Sequence, residues 1–185
     1  MIENCASGGH RLEPSMMELV SQASFSDAHE CTTIPLIAAN LHRLIRPEQS
    51  QIWAVLREKD SKDRILYTLT AAFLGRLCLS GEVFDLSEEQ WDLALEGIRF
   101  YQKVSHIIRD GITTAIETPL QDYTRPMGYQ AVLRECEKEA LLIVHTFEGG
   151  ADPDLTSLLS GWKVKESFGS DLTSDFQGKV FLLEK

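Results

Sequence analysis

The spacing of apolar residues divides the chain into two stretches with different periods. Up to about residue 111, short apolar runs alternate with segments whose apolar positions recur every three or four residues, the signature of strand followed by helix. Residues 2–5 read as a strand ending at a glycine-rich turn. Pro14 suits the first turn of a short helix carrying Met16, Met17, Leu19 and Val20, after which a loop carries Asp27. Thr33 is placed to cap a helix with Ile37, Leu41, Leu44 and Ile45 on one face, stopped by Pro47. Residues 51–57 read as a strand. Ser61 caps a helix bearing Ile65, Leu66, Leu69 and Phe73 and ending at Gly75, and residues 76–80 read as the next strand. Ser87 and Gln90 have capping-box spacing, with Leu86 and Trp91 placed as the hydrophobic staple. The helix they start runs through Leu95, Ile98, Tyr101, Val104 and Ile108 to Gly111.

Beyond Gly111 the period shortens. Residues 129–133, 140–147, 162–165 and 179–183 read as strands, with Gly149-Gly150 and Asp152-Pro153 among the turns between them. The expected fold is therefore α/β plus all-β: parallel βα units over residues 1–111, then an antiparallel β-sheet or sandwich over 112–185. The boundary is expected between Gly111 and Met127, a stretch containing Pro119 and Pro126.

Composition narrows the function classes. The 185 residues carry a net charge of −10, which disfavours contact with phosphate backbones, so no nucleic-acid partner is expected. No window approaches the run of about 18 apolar residues that a membrane helix needs, and no membrane partner is expected. The N-terminus has no basic stretch followed by an apolar core. The four cysteines, Cys5, Cys31, Cys78 and Cys136, are widely spaced and read as reduced thiols of a cytoplasmic protein. Cys5, His10, His29 and Cys31 do not have the ligand spacing of a zinc site, and neither metal nor cofactor is expected. A complete (β/α)8 barrel needs about 200 residues or more, so this chain is too short to hold one together with the β-rich tail.

The residues that carry candidate chemistry lie near the N-terminus. Glu3-Asn4-Cys5-Ala6-Ser7-Gly8-Gly9-His10-Arg11 contains Cys-x-x-Gly-x-x-Arg, Glu13 follows, and Ser26-Asp27 comes 22 residues after Cys5. This ordered set resembles the acid/base segment of the retaining α-galactosidases of glycoside hydrolase family 36. Phe73 to Gly81 and Leu86 to Trp91 resemble the last barrel strand and last helix of those enzymes, and the β-rich tail resembles their C-terminal sheet domain, so the likeness runs along nearly the whole chain. It implies the last three strand–helix units of a TIM barrel followed by a C-terminal antiparallel β-sandwich. It also implies that Asp27 follows the sixth barrel strand as general acid/base, and that Cys5, Gly8 and Arg11 shape a galactose subsite. The family's Ser-Asp-Asp-Thr-Asp becomes Ser26-Asp27-Ala28-His29-Glu30, which keeps the first carboxylate and opens the choice of sugar to another α-galactoside or its N-acetylated analogue.

Glycoside hydrolysis with retention uses two carboxyl groups, one as nucleophile and one as acid then base. The resemblance places the nucleophilic aspartate and its neighbouring lysine upstream of Met1. The chain is accordingly expected to be the C-terminal part of an α-galactosidase, inactive alone, with an α-galactoside oligosaccharide as substrate. One alternative is half of a split glycosidase, paired with the missing N-terminal part of the barrel or with itself. Another is a non-catalytic carbohydrate-binding module using Trp53, Trp91, Tyr129 or Trp162, although at strand and helix spacing these aromatics are more simply read as core.

Overall fold

A computed structural model describes residues 2–5, 9–28, 31–118 and 124–185. Within them the elements run β1 (Glu3–Asn4), α1 (Pro14–Met17), β2 (Gln22–Ser24), α2 (Ile34–Leu41), β3 (Ser50–Leu56), α3 (Lys62–Ala71), β4 (Arg76–Gly81), α4 (Glu88–Asp110), β5 (Ile112–Glu117), β6 (Tyr129–Cys136), β7 (Glu139–Thr146), α5 (Thr156–Leu159), β8 (Lys163–Gly169) and β9 (Gly178–Glu184). Strands β1 to β4 form one parallel sheet in chain order. Strands β5 to β9 form an antiparallel sheet in the order β5-β6-β7-β9-β8. No helix among the described residues is long and apolar enough to cross a membrane.

The switch from parallel to antiparallel falls at Gly111, where the expected boundary begins. Three expectations change. The parallel part has four strands, because Gln22–Ser24 pairs with both β1 and β3. Only Ala23 in that segment is aliphatic, too weak a pattern to read as a strand. The stretch after Gly111 begins directly with β5, whose edge position lets it carry exposed residues such as Ile112 (71% exposed). And among the described residues the tail is one five-stranded sheet, with helices on one face where a sandwich would place a second sheet.

Local signals explain most of the helix limits. Ser61 Oγ accepts the Arg64 backbone N–H at the start of α3. At α4, Ser87 Oγ accepts from the Gln90 N–H while Gln90 Oε1 accepts from the Ser87 N–H, the reciprocal capping box. Trp91, expected as the staple partner, keeps 39% of its surface exposed. Helix α2 ends at Leu41, before Pro47, which instead opens a 3-10 turn leading into β3.

Helix α3 is the middle layer. From Ile65 to Ala71 every residue is buried, so it has no solvent face beyond its first turn. One side packs on the parallel sheet and α2, the other on β7, β8 and β9. Two of its polar groups are satisfied inside: Tyr67 Oη donates to the Thr32 carbonyl at 3.0 Å and Thr70 Oγ1 donates back to Leu66 O at 2.8 Å, whereas the buried Thr68 Oγ1 has no hydrogen-bond partner among the described residues. Just after it, Phe73 stands in an aromatic cluster with Phe100 and Tyr101 of α4 and Phe168 of β8, ring centres 5.4–6.1 Å apart. A single hydrophobic core therefore runs from Ile52 and Leu56 of the parallel sheet to Leu141, Val180 and Leu182 of the antiparallel one. A smaller cluster covers the far face of the antiparallel sheet with Leu158, Leu172 and Leu155.

Two histidines, the half-buried His42 and the fully buried His145, also tie the halves together. His42 Nε2–H donates to Leu74 O, and its Nδ1 accepts from the Thr113 hydroxyl at 3.0 Å. Thr113 Oγ1 in turn accepts from Arg134, whose Nε caps the end of α4 at the Ile107 and Ile108 carbonyls. His145 is fully buried against Tyr67, with its Nε2 3.2 Å from Thr70 Oγ1. Burial holds both rings neutral, pushing His42 down to about 4 and His145 down to about 3.

Two outcomes follow. Phe73→Ala should cost about 3–5 kcal/mol, and because the core is shared, urea unfolding of wild type and variant should each show one transition, coincident by far-ultraviolet circular dichroism and tryptophan fluorescence. Separate melting of the antiparallel half would contradict this. The second outcome concerns pH. Each histidine takes up its proton more readily unfolded, near 6.5, than folded, so stability is full above about pH 6.5 and falls as pH drops toward 4. His42 alone accounts for on the order of 3 kcal/mol of that fall. The double change His42→Gln and His145→Gln should flatten this part of the stability–pH curve measured by urea midpoints.

Candidate functional site

Residue parity along the strands gives the parallel sheet two different faces. Ala23 with Ser50, Ile52 with Leu77, and Ala54 with Leu79 point toward the helices; Ala23, Ile52 and Ala54 there are fully buried. On the opposite face Glu3 lies beside Gln22, Ser24 beside Gln51, Gln51 beside Arg76, Trp53 beside Cys78 and Val55 beside Ser80. All-parallel sheets ordinarily cover both faces with apolar elements. Here one face is polar, with a half-buried tryptophan at its centre.

The expected site residues sit at the C-terminal end of this sheet. Cys5 follows the Asn4–Ala23 pair by one residue on β1, and Asp27 follows it by four on the neighbouring β2. Both are exposed. The two loops are joined by a close approach at Gly9. Its φ is +85°, and a Cβ there would stand 2.5 Å from the Phe25 carbonyl oxygen, two residues before Asp27. Asn4 Nδ2 donates to Arg11 O at 2.7 Å, closing the loop that carries the cysteine-to-arginine segment. Ser26 Oγ accepts the Ala28 N–H at 3.0 Å, so Asp27 is the middle residue of a tight side-chain-stabilised turn. The Arg11 side chain is exposed. Gly8, His29 and Glu30 lie outside the described residues; the close backbone approach expected of Gly8 is made, among those described, by Gly9.

Cys5, Glu3, Gln22 and Arg76 are linked by hydrogen bonds across the polar face. Cys5 Sγ donates to Glu3 Oε1 at 3.1 Å, Gln22 Nε2 donates to Glu3 Oε2 at 2.8 Å, and Arg76 Nη1 donates to Gln22 Oε1 at 3.1 Å. The thiol and the amide hold the Glu3 carboxyl below the usual carboxylate range, and the carboxylate pushes the Cys5 thiol up. Motif reading singled out Cys5 but not Glu3, Gln22 or Arg76, whose grouping depends on the strand register. No disulfide joins the four cysteines; Cys31 is buried with Leu36, Tyr67 and Phe147, apart from the exposed Cys5.

The aromatics considered as sugar platforms differ in setting. The Trp162 ring is covered by the Lys185 ammonium at 4.7 Å, and Tyr129 Oη donates to Glu117 at 3.0 Å, so both serve the antiparallel sheet. Only Trp53 lies on the polar face of the parallel sheet. Two large cavities are lined by residues other than Cys5 and Asp27. One of about 790 Å³ is lined by Val20, His42, Arg46, Gln49 and Arg134, and one of about 780 Å³ by Glu58, Asp60, Asp85 and Gln90.

This arrangement of a parallel and an antiparallel sheet is similar in fold to the C-terminal part of solved family 36 α-galactosidases. The chain superimposes on the galactosidase domain of the α-galactosidase–sucrose kinase AgaSK with a TM-score of 0.75 at 15% identity, over 100% of its own length. It also matches the α-galactosidase AgaA from Geobacillus stearothermophilus (TM-score 0.74, 15% identity, 98% of this chain) and the α-galactosidase from Lactobacillus brevis (0.72, 16%, 98%). It spans 28% of the length of each of these proteins. An AgaA variant in this group was crystallised with raffinose. No family model and no curated protein sequence matches the chain.

Proposed function

We propose that this chain carries the acid/base half of a retaining α-galactosidase site, with Asp27 as the proton donor to the leaving oxygen. Cys5, Gly8 and Arg11 form one wall of the galactose subsite. In this reading the four parallel strands are the last four of a (β/α)8 barrel, its polar face lines the interior, and the antiparallel sheet is the C-terminal domain. The observation that carries the reading is the contact of Gly9 with the Phe25 carbonyl, which draws the Cys5–Arg11 loop and the Asp27 turn together at the end of adjacent parallel strands. Barrel enzymes place their chemistry at this end of the strands.

The second carboxylate, which attacks the anomeric carbon from about 5–5.5 Å away in retaining enzymes, comes from polypeptide outside these 185 residues. The chain alone therefore binds an α-galactoside weakly and does not hydrolyse it. The reading favours a neutral oligosaccharide with a terminal α-galactose. Such a ligand suits a face whose amides, thiols and indole, with the Glu3 carboxylate and Arg76 guanidinium paired through Gln22, can exchange hydrogen bonds with hydroxyls, and the fold neighbours are themselves α-galactosidases.

Two measurements test this. The purified chain should leave a chromogenic α-galactoside uncleaved; turnover that disappears in Asp27→Ala would refute inactivity of the chain by itself. Joined to the barrel half of a family 36 enzyme, the chain should restore hydrolysis, and Asp27→Ala should lower the rate on a poor leaving group by about 10²–10⁴-fold. The loss should be much smaller on an activated aryl galactoside, which needs little protonation, and added azide should recover turnover by taking the place of the base-activated water. Equal rates with and without the Asp27 carboxylate on the poor leaving group would overturn the assignment.

A further inference from the structure

We propose that Glu3 is a positioning residue for Cys5: its carboxylate accepts the thiol hydrogen, and Gln22 and Arg76 hold that carboxylate in place from two other strands. This rests on the reading of Cys5 as part of a sugar subsite and names the residues that set its orientation.

The geometry is a chain with no free end. Arg76 Nε donates to the Glu48 carbonyl at 2.9 Å and its Nη1 to the Gln22 side-chain oxygen at 3.1 Å, so the guanidinium is anchored on the backbone before it reaches the amide. With its oxygen taken by Arg76, Gln22 must turn its nitrogen toward Glu3, at 2.8 Å. Glu3 thus has one oxygen fixed by Gln22 and the other facing the Cys5 thiol at 3.1 Å. Register makes this possible. Glu3 and Gln22 are paired on β1 and β2, and Arg76 on β4 reaches past β3 to meet Gln22 on the same face.

Gln51 of β3 also hydrogen-bonds the Glu3 carboxylate and so adds to its bracing. Gln51 on β3 is neutral and donates to the Cys78 sulfur at 3.4 Å; Cys78 and Arg76 are the titratable groups contributed by β4. A cysteine held this way keeps its proton, points along the end of β1, and offers its sulfur lone pairs to a hydroxyl-bearing ligand. A free thiol on the same loop would sample several rotamers and ionise more readily. The exposed Cys5 is thereby also protected from oxidation and alkylation, which begin at the thiolate.

The test uses the whole 185-residue chain and iodoacetamide, with Cys5 modification read by mass spectrometry on its tryptic peptide over about pH 7 to 10, where thiols ionise. Glu3→Gln should shift the rate–pH profile to lower pH. Because a more acidic thiolate is also a weaker nucleophile, each tenfold gain in acidity should raise the rate near neutrality by about threefold. Glu3→Asp should restore part of the wild-type profile. Gln22→Leu, which leaves Glu3 in place but unbraced, should fall between wild type and Glu3→Gln and serves in its place if Glu3→Gln does not fold. Profiles of Glu3→Gln or Gln22→Leu that coincide with wild type would overturn the proposal. Adding galactose separates this from the reading it rests on. Galactose should slow Cys5 alkylation, and Glu3→Gln should need several-fold more sugar for half protection. No protection in the wild type, with the profile shift intact, would count against the sugar subsite and leave the Glu3–Cys5 link standing; equal protection of Glu3→Gln and wild type would remove Glu3's positioning role.

Discussion

The structure depends on burying helix α3 between two sheets. A helix with no solvent face beyond its first turn gains hydrophobic burial on all sides, but each buried polar group on it costs stability unless paired internally, a cost that the unpaired Thr68 Oγ1 bears. Thr70 is paired through the Leu66 carbonyl and Tyr67 through the Thr32 carbonyl. Space is correspondingly tight: a Cβ on Gly178 of β9 would fall 2.1 Å from Thr70 Oγ1. Because α3 touches both sheets, the parallel sheet's apolar face cannot be exposed without also stripping β9. The sequence boundary near residue 111 thus marks a change of strand direction while the core continues across it.

That core fixes which face of the parallel sheet is left for chemistry. The helices take Ala23, Ile52, Ala54 and Leu56, and period-two alternation then sends Gln22, Gln51, Trp53 and Arg76 to the other side. The polar face is the unavoidable complement of a well-packed apolar one. At its end, where Cys5 and Asp27 leave adjacent strands, Gly9 closely approaches the Phe25 carbonyl just ahead of the Ser26-Asp27 turn.

Much of this was legible in the sequence where the physics is local. The capping box at Ser87 and Gln90, the cap at Ser61 and the strands β3, β4, β6, β7 and β9 follow from patterns contained within a few residues. Strand β2 was not legible, because a parallel strand paired over three residues needs only Ala23 on the apolar side. Nor was β5, whose pairing with β6 is set across about twenty residues and whose edge position removes the alternation that reading relies on. The site divides the same way. The spacing of Cys5, Arg11 and Asp27 is visible as a motif. The Glu3–Gln22–Arg76 link spans more than seventy residues and becomes apparent only once β1, β2 and β4 are placed on one face.

The exposure of Asp27 has a direct chemical meaning. A carboxyl that is to donate a proton near neutral pH needs desolvation or a neighbouring negative charge to keep it. The Asp27 side chain is exposed, in a turn closed by the Ser26 hydroxyl and the Ala28 N–H. Within a retaining mechanism both conditions come from one source: the opposite wall of the cleft, which excludes water and carries the nucleophilic carboxylate. On the proposed reading, Asp27 is placed by the Ser26 turn and the Gly9–Phe25 contact while remaining open to water. On that reading placement and activation are separable, and the residues around Asp27 supply placement.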